Sequence, residues 1–229
     1  MSFNGTFVFL NSLLQIFKSF KYEFQFVKDR SDKFSLLLHL ELWFKDRILH
    51  LTPMQAGFPW INYPTIQFMH HFACKNMHIV EFGTGGSSFF FLNRGAKLTS
   101  IEHDEKWIGL VKKKICSRLE KNWSYYLIKS NNKFSQIPSP NSYLLPVDKL
   151  SDSSVDLVLV DGRHRIQSIQ RVIKKIKNGG YLILDNCDRP EYSKSFELLS
   201  HWSLKQVSCI TNSSEFVTPV AIWKKPNLG

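Results

Sequence analysis

The sequence predicts an α/β protein: a doubly wound, mostly parallel seven-stranded sheet with a terminal antiparallel hairpin, preceded by amino-terminal helices. Three observations predict it. From His78 to Leu184 short apolar runs alternate with amphipathic stretches, strand and then helix. Glycines at 83, 85 and 86 fall where the first strand must turn into a helix. Two late apolar runs, 206–210 and 220–223, are separated by a polar turn with no helix between them, the pattern of a hairpin.

The elements follow in order. Phe7, Leu10, Leu14, Phe17 and Phe20 recur at helical spacing, and a second helix is expected over 33–49 on Phe34, Leu38, Leu42 and Leu49. Pro53, Pro59, Pro64 and Gly57 predict an extended connection over 52–65. Residues 1–59 are expected to form a helical lid or extension, and 60–229 the core. Strands are expected at 78–82, 97–102, 125–128, 155–160 and 181–184. A helix begins at 88. Another over 107–119 carries Trp107, Val111, Ile115 and Leu119 on one face, and a third over 165–177 carries Ile166, Ile169, Ile173 and Ile176. Gly179-Gly180 is expected to stop that last helix. The polar stretch 131–142, with Pro138 and Pro140, reads as a loop.

The 43% hydrophobic and 21% charged content of the 229 residues excludes a disordered chain. No apolar run approaches the ~18–20 residues that span a bilayer. Residues 7–17 resemble a signal h-region, but no Lys or Arg precedes them and no small-residue cleavage site follows, so a cytoplasmic protein is expected. Cys74, Cys116, Cys187 and Cys209 are too scattered for a disulfide framework or a thiolate zinc site. Thirty Lys+Arg against 19 Asp+Glu leave a net charge of +11. Much of it lies in Lys112–Lys114 and in Arg163, Arg165, Arg171, Lys174, Lys175 and Lys177, on helices whose other faces are apolar, where a solvated face is the default. Arg163 and Arg165, beside a strand end, are placed to clamp an anionic substrate. Nucleic acid stays a possible partner but not the favoured one.

The chemistry concentrates in H-I-V-E-F-G-T-G-G-S-S, residues 78–88. A dinucleotide fingerprint would need a third glycine at 88, which is Ser88. Glu102 closes the next strand about 20 residues after the turn, where an acid can hydrogen-bond two ribose hydroxyls; Asp104 can cap the following helix. With these residues in place, segment 78–186 resembles the core of the class I S-adenosylmethionine-dependent methyltransferases, with Ser87 where the family motif ends in glycine. The resemblance implies S-adenosyl-L-methionine as cofactor. Glu81, Gly83, Thr84, Gly85, Gly86, Ser87 and Ser88 would lie toward its methionine end, Glu102 and His103 toward its ribose, and Asp161 near the transferred methyl group.

Asp161 ends the fourth strand, and Asp185 and Asn186 end the fifth. Two carboxylates and an amide oxygen would suit Mg²⁺. The arrangement is similar to the catechol and caffeoyl-coenzyme A O-methyltransferases, which implies a metal that orients an acceptor hydroxyl. Asp-Gly and Asp-Asn are equally common turn formers, and Asp161-Gly162-Arg163-His164 also resembles a D-G-x-H segment found in methyltransferases without a metal. His164 is the candidate general base, since an imidazole exchanges a proton near neutrality. Trp60 and Tyr63 are read as packing residues or part of a lid. The expected function is methyl transfer to a small-molecule or glycan acceptor at oxygen. An RNA methyltransferase, a non-catalytic binding protein on the same core and a nicotinamide dehydrogenase are the alternatives.

Overall fold

The structure, a computed structural model, describes residues 38–43, 52–132, 135–212 and 217–227. The Phe-rich stretch expected as the first helix lies outside them, and of the expected second helix residues 38–43 are described, in helical conformation with Trp43 fully buried.

Five strands pair in parallel: β1 (His78–Phe82), β2 (Lys97–Glu102), β3 (Trp123–Leu127), β4 (Val155–Val160) and β5 (Ile176–Asp185). Strands β6 (Ser203–Ile210) and β7 (Val217–Lys224) form the expected antiparallel hairpin, which joins the sheet by β7 against β5. The order is β3-β2-β1-β4-β5-β7-β6. Strand order reverses between β1 and β4, so the turns after β1 and β4 open a crevice at the carboxyl edge of the sheet. The central strands are apolar on both faces because helices cover both sides.

Helices α1 (Pro53–Ala56) and α2 (Tyr63–Phe72) precede β1; α3 (Gly86–Asn93) follows it; α4 (Glu105–Lys114) and α5 (Ser117–Glu120) join β2 to β3. Helix α6 (Pro140–Asp148) precedes β4, α7 (Arg165–Val172) follows it, and α8 (Lys194–Leu198) follows β5.

Four expectations are corrected. Residues 52–65 are not an extended connection. Pro53 and Pro64 sit in the first turns of α1 and α2, behind the caps Thr52 and Asn62, where a missing N–H costs nothing. The stretch read as a loop to 142 gives way to α6 at Pro140 for the same reason, with Ser139 as cap. The helix expected over 165–177 ends at Val172, followed by a 3-10 turn (Ile173–Lys175), and Gly179-Gly180 lie inside β5, where the β4 register shifts between Val155 and Leu157. The helix expected over 107–119 is two helices: Val111, Ile115 and Leu119 are buried, but Trp107 is 38% exposed.

Asn62 fastens the 52–72 segment to the hairpin. Its side-chain amide donates to the carbonyls of Val207 (3.1 Å) and Thr218 (2.8 Å) while its oxygen accepts from Thr65. Lys114 donates to the carbonyls of Met54 and Gln55, tying α1 to α4, so this lysine is not on a solvated face. In the other basic cluster Arg171 makes a bidentate pair with Asp148, both bonds 2.6 Å, and Lys175 and Lys177 pair with Asp152 and Asp156.

Candidate active site

A cleft of about 730 Å³ opens at the carboxyl ends of β1, β2 and β4. Gly83, Thr84 and Ser87 line it from the first turn, Glu102, His103 and Asp104 from the second, and Asp161, Arg163, His164 and Arg165 from the turn after β4.

The glycine turn must be glycine for stated reasons. Gly83 has φ +92° and lies against the backbone of Gly162, so the turns after β1 and β4 touch. A side chain at Gly86 would collide with the carbonyls of Pro53 and Phe58. Gly86 therefore serves helix packing and does not line the cleft. Trp107 Nε1 donates to the Thr84 carbonyl at 2.7 Å, and its indole stands beside Gly85 as a wall of the cleft.

Glu81 is completely buried beneath this turn. Oε2 accepts from Ser87 Oγ at 2.6 Å; Oε1 accepts from Ser100 Oγ at 2.6 Å and from Ser88 Oγ. Ser100 in turn accepts from Trp123 Nε1 at 2.8 Å. Burial pushes the Glu81 carboxyl up to about 7, against the pull of the three hydroxyls. Ser87 and Ser88 thus replace glycine freedom with hydrogen bonds to the acid, and Ser87 is the one that reaches the cleft.

Glu102 organises the second turn. Oε2 accepts from the Thr84 amide and hydroxyl, both at 3.0 Å, while Oε1 accepts from the amides of His103 (2.6 Å) and Asp104 (3.0 Å) and from His103 Nδ1 (2.8 Å). Arg163 Nε donates to His103 Nε2 at 3.3 Å, so Arg163, His103, Glu102 and Thr84 form one chain across the cleft floor. That order assigns the His103 proton to Nδ1.

His164 sits in the left-handed region (φ +51°) ahead of α7. Its Nε2 meets the Pro138 carbonyl at 2.8 Å, and its ring packs edge-on to Tyr143. In the neutral tautomer that donates from Nε2, Nδ1 carries the lone pair.

Arg165 is the residue whose placement departs most from the expectation of an open substrate clamp. It is 8% exposed. Nε donates to the Gly162 carbonyl (3.2 Å), one terminal nitrogen to the Asp185 carbonyl, and the other to the Asp161 carbonyl (3.0 Å) and to Asp161 Oδ1 (2.8 Å). Four of its five N–H groups are spent on the protein. Burial together with the Asp161 charge pushes the Asp185 carboxyl well above the ordinary range, and its Oδ1 is buried without a hydrogen-bond partner.

A divalent cation would need Asp161, Asp185 and Asn186 to aim free oxygens at one point. Here Asp161 Oδ1 holds a guanidinium and Asn186 Oδ1 accepts from Arg189 at 2.8 Å, which leaves the buried Asp185 Oδ1, without a hydrogen-bond partner, as the one uncommitted oxygen among these three atoms. Among the described residues no cluster of three His, Cys, Asp or Glu could hold a metal ion. The donor set does not fit Mg²⁺, because arginine already supplies the positive charge.

The S-adenosylmethionine donor set fares differently. The open face of Ser87, the two-turn floor under Thr84 and the Glu102 carboxylate line one cleft of ligand size, with indole and imidazole walls. Arg189, Tyr192 and Lys194, after β5, complete its rim and were not singled out by the sequence. Their position just past a strand end was the available signal.

No family model matches the sequence, and no curated protein matches it. Solved structures do. The cofactor-bound protein Rv0187 from MTB superposes with TM-score 0.58 over 87% of this chain and all of its own, at 13% identity. A Staphylococcus aureus protein described as a caffeoyl-CoA O-methyltransferase gives TM-score 0.56 over 86% of this chain and 100% of its own, at 16% identity. An rRNA methylase from Streptococcus thermophilus gives 0.52 over 70% of this chain and 93% of its own, at 13% identity. The fold is that of the class I S-adenosylmethionine-dependent methyltransferases. Among the described residues no helix is long and apolar enough to cross a membrane.

Proposed function

We propose that the protein transfers a methyl group from S-adenosyl-L-methionine to an oxygen of a small-molecule or glycan acceptor, without a divalent cation. The observation that carries this reading is the meeting of the glycine turn and Glu102 in one cleft that Asp161 and His164 also line. When bound, the cofactor supplies an activated methyl on a sulfonium. Ser87 and Thr84 would hold its amino-acid end, Glu102 would accept from ribose hydroxyls, and Trp107 would flank it. The remaining work is alignment and exclusion of water.

Asp161 is the acid nearest the reacting region. Its carboxylate is steadied by Arg165 while its side chain stays 38% exposed to the cleft. His164 Nδ1 is the group able to take the acceptor proton. A small acceptor is favoured over a polyanion because the cleft has no charge excess: Arg163, Arg165, Arg189 and Lys194 face Glu102, Asp104, Asp161 and Glu191. The exposed thiols of Cys74 and Cys116 suit the cytoplasm.

Incubation with isotope-labelled methyl donor, against pools of hydroxylated small molecules and of RNA, tests the acceptor class by mass spectrometry. Label is expected in small molecules and absent from RNA. Label confined to RNA would overturn the acceptor class and leave the donor intact.

A further inference from the structure

A second cleft, of about 600 Å³, lies at the opposite edge of the sheet, under the amino ends of β1 to β4. Ligands in open α/β sheets bind at the carboxyl edge, so nothing in the proposed reaction uses it. Its charge is lopsided. Lys97, Lys121 and Lys177 line it together with His78, against the single acid Asp156. Asp156 is fully committed: Oδ1 holds Lys177 at 2.7 Å and Oδ2 accepts the His78 amide at 2.8 Å. Among the described residues neither Lys97 nor Lys121 has an ion-pair partner. Lys97 and Lys177 both lie near enough to the His78 ring to act on it electrostatically. The ring is anchored there by Nε2 against Thr99 Oγ1 at 3.0 Å.

We propose that this cleft binds the phosphoryl group of a small phosphorylated molecule. Lysine ammoniums are compact point charges suited to a multiply charged phosphate, and they come here with the Ser124 hydroxyl and the Asn122 amide on the same lining. Tyr126 and Leu150 offer a less polar wall for the rest of the ligand. The volume accommodates a mononucleotide-sized body. The first cleft, with equal numbers of acids and bases, offers no such excess.

Calorimetric titration of the full chain with inorganic pyrophosphate tests this. One-site binding is expected, weakened at least about tenfold by Lys97→Ala/Lys121→Ala and unchanged by Arg163→Ala/Arg189→Ala in the first cleft. Both lysines are exposed, so the variant is expected to fold, and its thermal unfolding is the control. Absence of saturable binding, equal affinity in the lysine variant, or loss in the arginine variant would each overturn the proposal. So would binding of an oligoribonucleotide, steeply salt-dependent, by a protein that ignores pyrophosphate. None of these outcomes bears on cofactor binding in the first cleft.

Discussion

Arg165 donates to Asp161 Oδ1 at 2.8 Å while also bonding the main-chain carbonyls that end β4 and β5. One buried guanidinium therefore does two things that a metal would do at this place: it neutralises a carboxylate and ties two strand ends together. It does so with planar, directional N–H donors, which leave no room at Asp161 Oδ1 for a second cation.

The wild-type protein is expected to give no heat of binding with Mg²⁺ in calorimetry. Arg165→Met is expected to destabilise it by about 1.5–3 kcal/mol, the usual worth of hydrogen bonds made by a charged group, read by denaturant unfolding. Tight Mg²⁺ binding that Asp185→Ala abolishes would contradict this account.

Glu81 makes stability depend on pH in an unusual direction. Its carboxyl is raised from 4.5 to about 7 in the folded protein. The folded state therefore holds its proton more tightly than the unfolded chain. The stabilisation is complete below about pH 4.5 and is lost as pH rises through about 7, a swing of about 3 kcal/mol. Glu81→Gln, which keeps the shape but cannot ionise, is expected to flatten that part of the stability profile. An unchanged slope between pH 5 and pH 7, roughly the window between the two states' values, would refute the assignment.

Gly86→Ala places a methyl group against the carbonyls of Phe58 and Pro53. Helix α3 must then move away from α1, which is expected to cost about 1–3 kcal/mol, the usual range for overpacking. Because Gly86 adjoins the cofactor turn, the same variant is expected to bind S-adenosylhomocysteine more weakly. Unaltered unfolding would mean that α1 yields without cost.

The sheet was legible in the sequence because parallel strands buried on both faces read as nearly continuous apolar runs, as in Val155–Val160, broken only by Asp156. The glycine turn and Glu102 were legible as cofactor candidates because their spacing is set by one strand–helix–strand unit. The prolines misled for one physical reason. Pro53, Pro64 and Pro140 read as breakers, yet each stands in a first helical turn behind a capping side chain. Missing α6 also hid Tyr143, whose hydroxyl donates to the Ile101 carbonyl and packs beneath Gly162. Periodicity assigned Trp107 to the core, but it lies in the first turn of α4, where the chain still faces the cleft. No local pattern could show that Arg165 turns inward while Arg163 stays exposed, since that choice depends on carbonyls contributed by two separate strands. The second basic cleft was equally invisible, because its lysines come from strand ends far apart in sequence.

The central claim is that the cleft at Thr84 and Glu102 is an S-adenosylmethionine site. Calorimetric titration with S-adenosylhomocysteine tests it most directly, comparing the wild-type protein with Glu102→Ala. The account predicts saturable one-site binding, weakened at least about tenfold by the substitution, as expected for losing hydrogen bonds to a charged group. No detectable binding to the wild-type protein, or the same affinity in both, would contradict it.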